Sequence, residues 1–271
     1  MATLVCFHAH PDDEALSTGG LMAKATAAGH RVVLVTATSG EEGIPQEGVL
    51  EPGEELAERR RQELASAAAV LGADPPRVLG YLDSGMMGEP SNEHPGCFWR
   101  SDVEEAATFL AEVLREVGAD VLTVYDDHGL YGHPDHIQVH RVGHRAAELA
   151  GVTHVYEATM NRDRARESFD ELEAETADAD GGGVEDLPEP GELEGFGVAD
   201  DDLAYVVDVT GQLDRKRAAI EAHRSQIGED SFFLTLPGDR FARLFGSEYF
   251  AVRGRTGTGG PQPVDLLPGL G

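Results

Sequence analysis

The sequence predicts an α/β fold, a mostly parallel sheet covered on both faces by helices, with a small C-terminal α+β extension. Two observations carry this expectation. Short, apolar, β-prone runs alternate with helix-length segments from the first residues onward, a pattern that calls for right-handed βαβ crossovers between parallel strands. The clusters of acidic and imidazole side chains also fall just after strands, on the edge where such sheets bind ligands.

The elements follow in order. Residues 3–9 read as a buried strand in which Cys6 is a small hydrophobe. Residues 18–28 read as a helix and 30–38 as a second, valine-rich strand. The next loop carries Gly40, Gly43, Pro45, Gly48, Pro52 and Gly53, and its length points to a functional segment. An amphipathic helix over 54–71 closes at Gly72. A third strand is expected at 77–82, a Gly/Pro-rich loop at 84–100, a helix over 102–117 ending at Gly118, and a fourth strand at 121–125. Pro134 suits the first position of a helix that runs to about residue 149, and 153–160 reads as a fifth strand. Residues 178–202 are poor in apolar side chains and are expected to form a mobile acidic loop. Within it, Gly181-Gly182-Gly183 reads as linker, because no lysine or helix start follows. A strand at 204–209, a helix over 213–227 and a compact piece ending in Tyr249-Phe250-Ala251-Val252 complete the extension. The organisation expected is a core over 1–160, an extension over 161–253 packed on it, and a flexible tail over 254–271, together one structural unit.

The formal net charge is −29, from 50 acidic against 21 basic residues, and the only lysines are Lys24 and Lys216. A field of that sign repels nucleic acid and anionic lipid, which excludes both as main partners. No apolar run approaches the ~18 residues that span a bilayer. Met1-Ala2-Thr3-Leu4 places no basic stretch ahead of an apolar one, so the expected location is cytoplasmic. Cys6 and Cys97 provide neither a disulfide framework nor a CxxC pair. A homo-oligomer is compatible with this composition.

Two stretches carry chemistry. His10-Pro11-Asp12-Asp13-Glu14 follows the first strand. If a helix starts there, His10 and Asp13 can face one point while Asp12 projects elsewhere. The plainer reading is a helix cap, since Asp is a preferred capping residue and Glu suits a first turn. The second stretch, Tyr131-Gly132-His133-Pro134-Asp135-His136, follows Asp126, Asp127 and His128 and precedes His140. A catalytic zinc commonly keeps three protein ligands and one water, and two residues of the first stretch with one of the second would supply them. His136 and His140, four apart on one helix face, offer another pair. For His128, His140 and His144 the ordinary reading, surface or hydrogen-bonded histidine, is preferred.

The stretches AHPDDE (9–14) and YGHPDH (131–136) resemble the PIG-L/LmbE-like zinc-dependent N-deacetylases. RRQE (60–63) and YLDSGM (81–86) resemble that family's intermediate segments, and AHRSQI (222–227) with Ser231-Phe232-Phe233 resembles the branch acting in mycothiol metabolism. The resemblance implies a Rossmann-like fold and removal of the N-acetyl group from an N-acetylglucosamine-type sugar conjugate, a small-molecule substrate. It implies His10, Asp13 and His136 as zinc ligands, Asp12 as general base, His133 as the imidazole that protonates or polarises, and Tyr131 at the developing oxyanion. Arg60 and Asp83 fall where the sugar deacetylases grip substrate hydroxyls, and Glu14 stands behind the ligands. Fe(II) suits a His₂Asp set as well as zinc does. A mycothiol S-conjugate amidase and a tailoring deacetylase of a glycosylated natural product share the same motifs. The competing classes are weaker. Charged residues occupy the place of a GxGxxG turn after the first strand, and no GxSxG elbow is present.

Overall fold

Five short parallel strands form the part of the sheet that carries the two motifs. The computed structural model describes residues 1–177 and 195–267. Its strands are β1 (Thr3–His8), β2 (Arg31–Thr36), β3 (Arg77–Val78), β4 (Val121–Tyr125), β5 (His154–Thr159), β6 (Tyr205–Asp208), β7 (Ser247–Ala251) and β8 (Gln262–Pro263). They form one sheet in the order β3-β2-β1-β4-β5-β7-β6-β8. The run from β3 to β5 is parallel. β7 is antiparallel to both β5 and β6, and β8 lies parallel to β6. The sheet is therefore continuous across residue 160, and the extension adds its antiparallel edge.

The helices are α1 (Asp13–Ser17), α2 (Gly19–Ala27), α3 (Leu56–Leu71), α4 (Val103–Val117), α5 (Gly129–Gly132), α6 (Pro134–Ala150), α7 (Arg162–Ala177), α8 (Leu213–Ala222), α9 (Phe232–Thr235) and α10 (Gly238–Phe245). Strand side chains alternate between faces, and β1 shows the consequence. Leu4 and Cys6 join α2, α3 and α8 in one core, whereas Val5 and Phe7 join α4 and α6 in the other. Each fully buried large side chain of this kind contributes roughly 1.5–3 kcal/mol. Gly72 and Gly118 end α3 and α4 in the left-handed region, at φ 75° and 65°, where the missing Cβ removes the steric cost. Gly143 lets α6 lie close on the sheet, since a Cβ there would collide with Val124.

The extension is fastened to the core by a buried ion pair. Glu248 of β7 accepts from the Gly20 and Leu21 N–H groups at 2.7 and 2.8 Å, at the start of α2. Lys216 of α8 donates to the same carboxylate at 2.6 Å. The carboxylate thus meets the positive end of a helix as well as a cation.

Several expectations need correction. The third strand is only Arg77–Val78, because the chain then leaves the sheet and Leu82 bridges to Cys97. The helix expected over 213–227 ends at Ala222, and 223–227 turns back on itself through Ile227 N–H to His223 C=O at 2.8 Å. The tail expected to be flexible from Gly254 contributes β8 and buries Leu266 and Leu267. Of the acidic loop, residues 178–194, including Gly181-Gly182-Gly183, lie outside the described residues. Residues 195–202 are placed, with Val198 bridged to Asn161. Among the described residues, no helix is long and apolar enough to cross a membrane.

Candidate active site

β1 connects to β2 on one side while β4 connects to β5 on the other, so a crevice opens between the carboxyl ends of β1 and β4. This is the switch point at which open α/β sheets bind ligands. The His10–Asp13 turn leaves β1 there, and His133 and His136 begin α6 beyond β4.

Asp13 bridges the two stretches. Its Oδ2 lies 3.4 Å from His10 Nδ1, and its Oδ1 lies 3.4 Å from His136 Nε2. The turn itself is fixed by the His10 N–H donating to Asp13 at 2.8 Å. His136 is 1% exposed, and neither ring nitrogen has a hydrogen-bond partner. A buried polar atom without a partner is costly, and a cation held with Asp13 would give Nε2 one. Ligands about 2.0–2.2 Å from a tetrahedral ion stand roughly 3.4 Å apart, which is the separation seen on both sides of Asp13. The residues therefore fit a metal ion.

His10 faces carboxylates on its other side as well. Its Nε2 lies 3.2 Å from Asp135 Oδ2 and 3.4 Å from Asp83 Oδ1. Asp135 is fully buried and accepts from Ser84 N–H at 2.9 Å and from the Ser84 hydroxyl. A carboxylate so tied orients a histidine ring that donates to it, leaving Nδ1 for a metal. Burial opposes protonation of His10, but Asp83, Asp13 and Asp135 outweigh it and raise its pKa well above the usual imidazole value. In Asp13, burial is overcome by His136 and His10, which hold the carboxyl well below its usual range. The surplus of negative charge calls for a cation.

Asp12 takes an unusual backbone conformation, with φ 108°, in the region an L side chain rarely adopts. Its N–H donates to Glu14 Oε2 at 3.0 Å, and its carboxylate lies 3.1 Å from Arg60 Nη2. Burial raises its pKa, Arg60 lowers it and Asp13 raises it, with a net upward shift. A raised carboxyl pKa suits a group that both takes and returns a proton. Arg60, expected to face substrate hydroxyls, is 4% exposed and donates from Nη1 to Gly40 C=O at 2.7 Å and from Nη2 to Pro11 C=O. Asp83 is also buried, accepting from Gly85 N–H at 2.9 Å beside His10.

His133 caps α6, its Nδ1 accepting from Asp135 N–H at 3.1 Å. The neutral ring then carries its proton on Nε2. Burial, together with the like charges of His10 and His136, pushes its pKa down to about 3. Its ring is 4.6 Å from that of His10 and 5.1 Å from that of His136. Tyr131 packs edge-on against His136 and stacks on Phe196 at 5.4 Å. Burial and Asp13 raise its hydroxyl pKa, so the phenol stays protonated.

All eight side chains singled out in the sequence thus lie in or directly behind one crevice. His223, Glu63 and Ser225, given no individual role in the sequence, support it. His223 Nε2 lies 2.6 Å from Glu14 Oε1, both fully buried. Glu63 accepts from Ser225 N–H at 2.8 Å and from its hydroxyl at 2.6 Å. The signal was present in RRQE and AHRSQI, but only the fold brings the two stretches together. His140 and His144 have protein partners, Tyr125 C=O at 3.0 Å and Glu157 at 2.7 Å. The described residues gather four other sets that could hold an ion: His10 with His133 and His136, His10 with Asp83 and Asp135, His140 with His144 and Glu157, and Asp126 with Asp127 and His128.

The α/β fold with imidazoles and carboxylates gathered at the sheet's switch point is met by comparisons that give the class, a hydrolase of the N-acetyl amide bond of a sugar conjugate. Residues 5–147 match the family described as PIG-L: GlcNAc-PI de-N-acetylase, and the chain belongs to that family. A protein of Thermomonospora curvata called 1D-myo-inositol 2-acetamido-2-deoxy-alpha-D-glucopyranoside deacetylase is 43% identical, covering 95% of this chain and 92% of its own. A protein of the same description from Acidothermus cellulolyticus is 40% identical over 99% of this chain and 95% of its own. Among solved structures, N,N'-diacetylchitobiose deacetylase from Pyrococcus horikoshii superposes with a TM-score of 0.56 at 23% identity, covering 92% of this chain and 82% of that one. That likeness concerns the fold.

Proposed function

We propose that the chain is a cytoplasmic, zinc-dependent deacetylase that removes the acetyl group from an N-acetylglucosaminyl inositol, with His10 Nδ1, Asp13 and His136 Nε2 holding the metal. The observation that carries the metal site is Asp13 placed 3.4 Å from each of two imidazoles, one of them otherwise unpartnered. The substrate reading is supported by relatives of that description matching nearly the whole chain. Fe(II) suits the same donors.

When bound, the metal supplies Lewis acidity, acidifying water and polarising the amide carbonyl. Asp12 takes the proton of the attacking water and delivers it to the leaving amine, its carboxylate aimed by Arg60 and its backbone held by Glu14. Neutral His133 donates from Nε2 to the developing oxyanion, and Tyr131 donates from its hydroxyl. Each such donor is typically worth ~2.7–4 kcal/mol. Asp83, buried beside His10, is the carboxylate assigned to a substrate hydroxyl, while Arg60 acts through Asp12.

The reading is tested by amine release from N-acetylglucosaminyl inositol, free N-acetylglucosamine and a mycothiol S-conjugate, using chelated and zinc-restored protein. Zinc-restored turnover that is fastest on the inositol glycoside supports it. Preference for the conjugate makes the chain an amidase, and turnover that survives chelation removes the metal from the account.

A further inference from the structure

Tyr125, the last residue of β4, is fully buried and touches the metal site without any role assigned above. Its ring stacks on His136, with centroids 4.3 Å apart and planes 10° from parallel. Its hydroxyl lies 2.8 Å from His8 Nδ1 and within electrostatic reach of the Asp13 carboxylate. His8 Nε2 in turn lies 2.8 Å from the Thr18 hydroxyl. His8 and Thr18 are likewise buried, at 1% and 0% exposure.

Proton accounting gives this chain a direction. The ionised Asp13 only accepts, and a phenol has one proton to give. If the Tyr125 proton goes to Asp13, His8 must carry its own on Nδ1 and donate it to the phenol oxygen. His8 Nε2 is then an acceptor for the Thr18 hydroxyl. The other acceptor near Thr18, Glu14 C=O, lies 3.5 Å away and competes poorly.

We propose that Tyr125 is a positioning residue for the metal centre, fixing Asp13 through its hydroxyl and His136 through its ring, with the buried His8–Thr18 pair directing the hydroxyl. The inference rests on the ligand set proposed above. Partners behind metal ligands commonly set affinity in this way, and their loss typically costs about 10–100-fold. If Tyr125 merely filled space, a phenylalanine would serve equally well.

The test is zinc affinity of the full chain, measured by competition with a chromogenic chelator, with thermal unfolding of the metal-free protein as the control for folding. Tyr125→Phe keeps the stack and loses the hydroxyl, so its affinity should fall about 10–100-fold, while the metal-free protein stays folded and melts only modestly lower, because His8 Nδ1 is left without a partner. His8→Leu should cause a comparable loss. His8→Asn should restore most of the affinity, because its amide N–H can replace Nδ1–H. The double variant Tyr125→Phe/His8→Leu should bind no more weakly than Tyr125→Phe, since both changes break one chain. The two His8 variants read the relay even if Tyr125→Phe folds poorly. Tyr125→Phe binding zinc as tightly as wild type, or fully additive losses in the double variant, would overturn the proposal and leave the ligand set standing. A wild-type chain that binds no zinc overturns both.

Discussion

Replacing His223 with leucine tests how far the C-terminal extension maintains the catalytic turn. His223 Nε2 and Glu14 Oε1 are 2.6 Å apart, and neither side chain is exposed. Removing the imidazole leaves a buried carboxylate without its charged partner, which typically costs ~3–5 kcal/mol. In a chain of this size each kcal/mol moves Tm by roughly 2–4 °C, so His223→Leu should melt about 6–20 °C below wild type. The pH dependence has a definite sign. Burial opposes ionisation of Glu14, but His223 outweighs it and lowers the Glu14 pKa below 4.5, so its share of stability is present above pH 4.5 and is lost as pH falls through the lower folded value. Glu14 in turn overcomes burial and raises the His223 pKa above 6.5, so its share is complete below pH 6.5 and is lost as pH rises through the higher folded value. The gap between wild type and variant should therefore be widest between pH 4.5 and 6.5. Replacing both partners, as Glu14→Leu/His223→Leu, should recover part of the stability but not turnover, because the Asp12 N–H loses its acceptor. Thermal unfolding followed by circular dichroism across pH measures this directly. A His223→Leu protein that melts with the wild type, or single and double changes that simply add, would refute the coupling.

Three further outcomes follow from the same geometry. Asp12→Asn should keep a full equivalent of zinc by elemental analysis while turnover drops about 10²–10⁴-fold; near-normal turnover would remove Asp12 as the base. His136→Ala should lose the metal, and full zinc occupancy in that variant would move the ligand to His133, whose ring lies 5.1 Å away. With a formal charge of −29, the folded chain is opposed by its own repulsion, so Tm by scanning calorimetry should climb as NaCl is raised from ~0.1 M to ~1 M and the Debye length shrinks from ~10 Å to ~3 Å. A Tm that stays flat or falls over that range would contradict it.

The parts of the molecule legible in the sequence were those whose signals are local. The unbroken buried run of β1, the glycines that end α3 and α4, and Pro134 at the start of α6 each declare themselves within a few residues. The two motif stretches were legible because each follows a strand, and parallel topology sends all such ends to one edge. What was not legible depends on contacts between distant segments. Nothing near Arg60 reveals that its guanidinium will be spent on Gly40, Pro11 and Asp12. Nothing near His223 reveals Glu14, 209 residues away in the chain. The placement of residues 254–267 has a related cause. Glycine and proline weaken local propensity, but β8 is held by pairing with β6 and by burial of Leu266 and Leu267.

The central claim is that a single metal ion sits between His10, Asp13 and His136. Anomalous scattering from zinc-loaded crystals, collected at the zinc edge, tests it most directly. The account predicts one dominant peak about 2.0–2.2 Å from His10 Nδ1, an Asp13 oxygen and His136 Nε2. A dominant peak on the other side of His10, between Asp83 and Asp135, or at His140, His144 and Glu157, would contradict it.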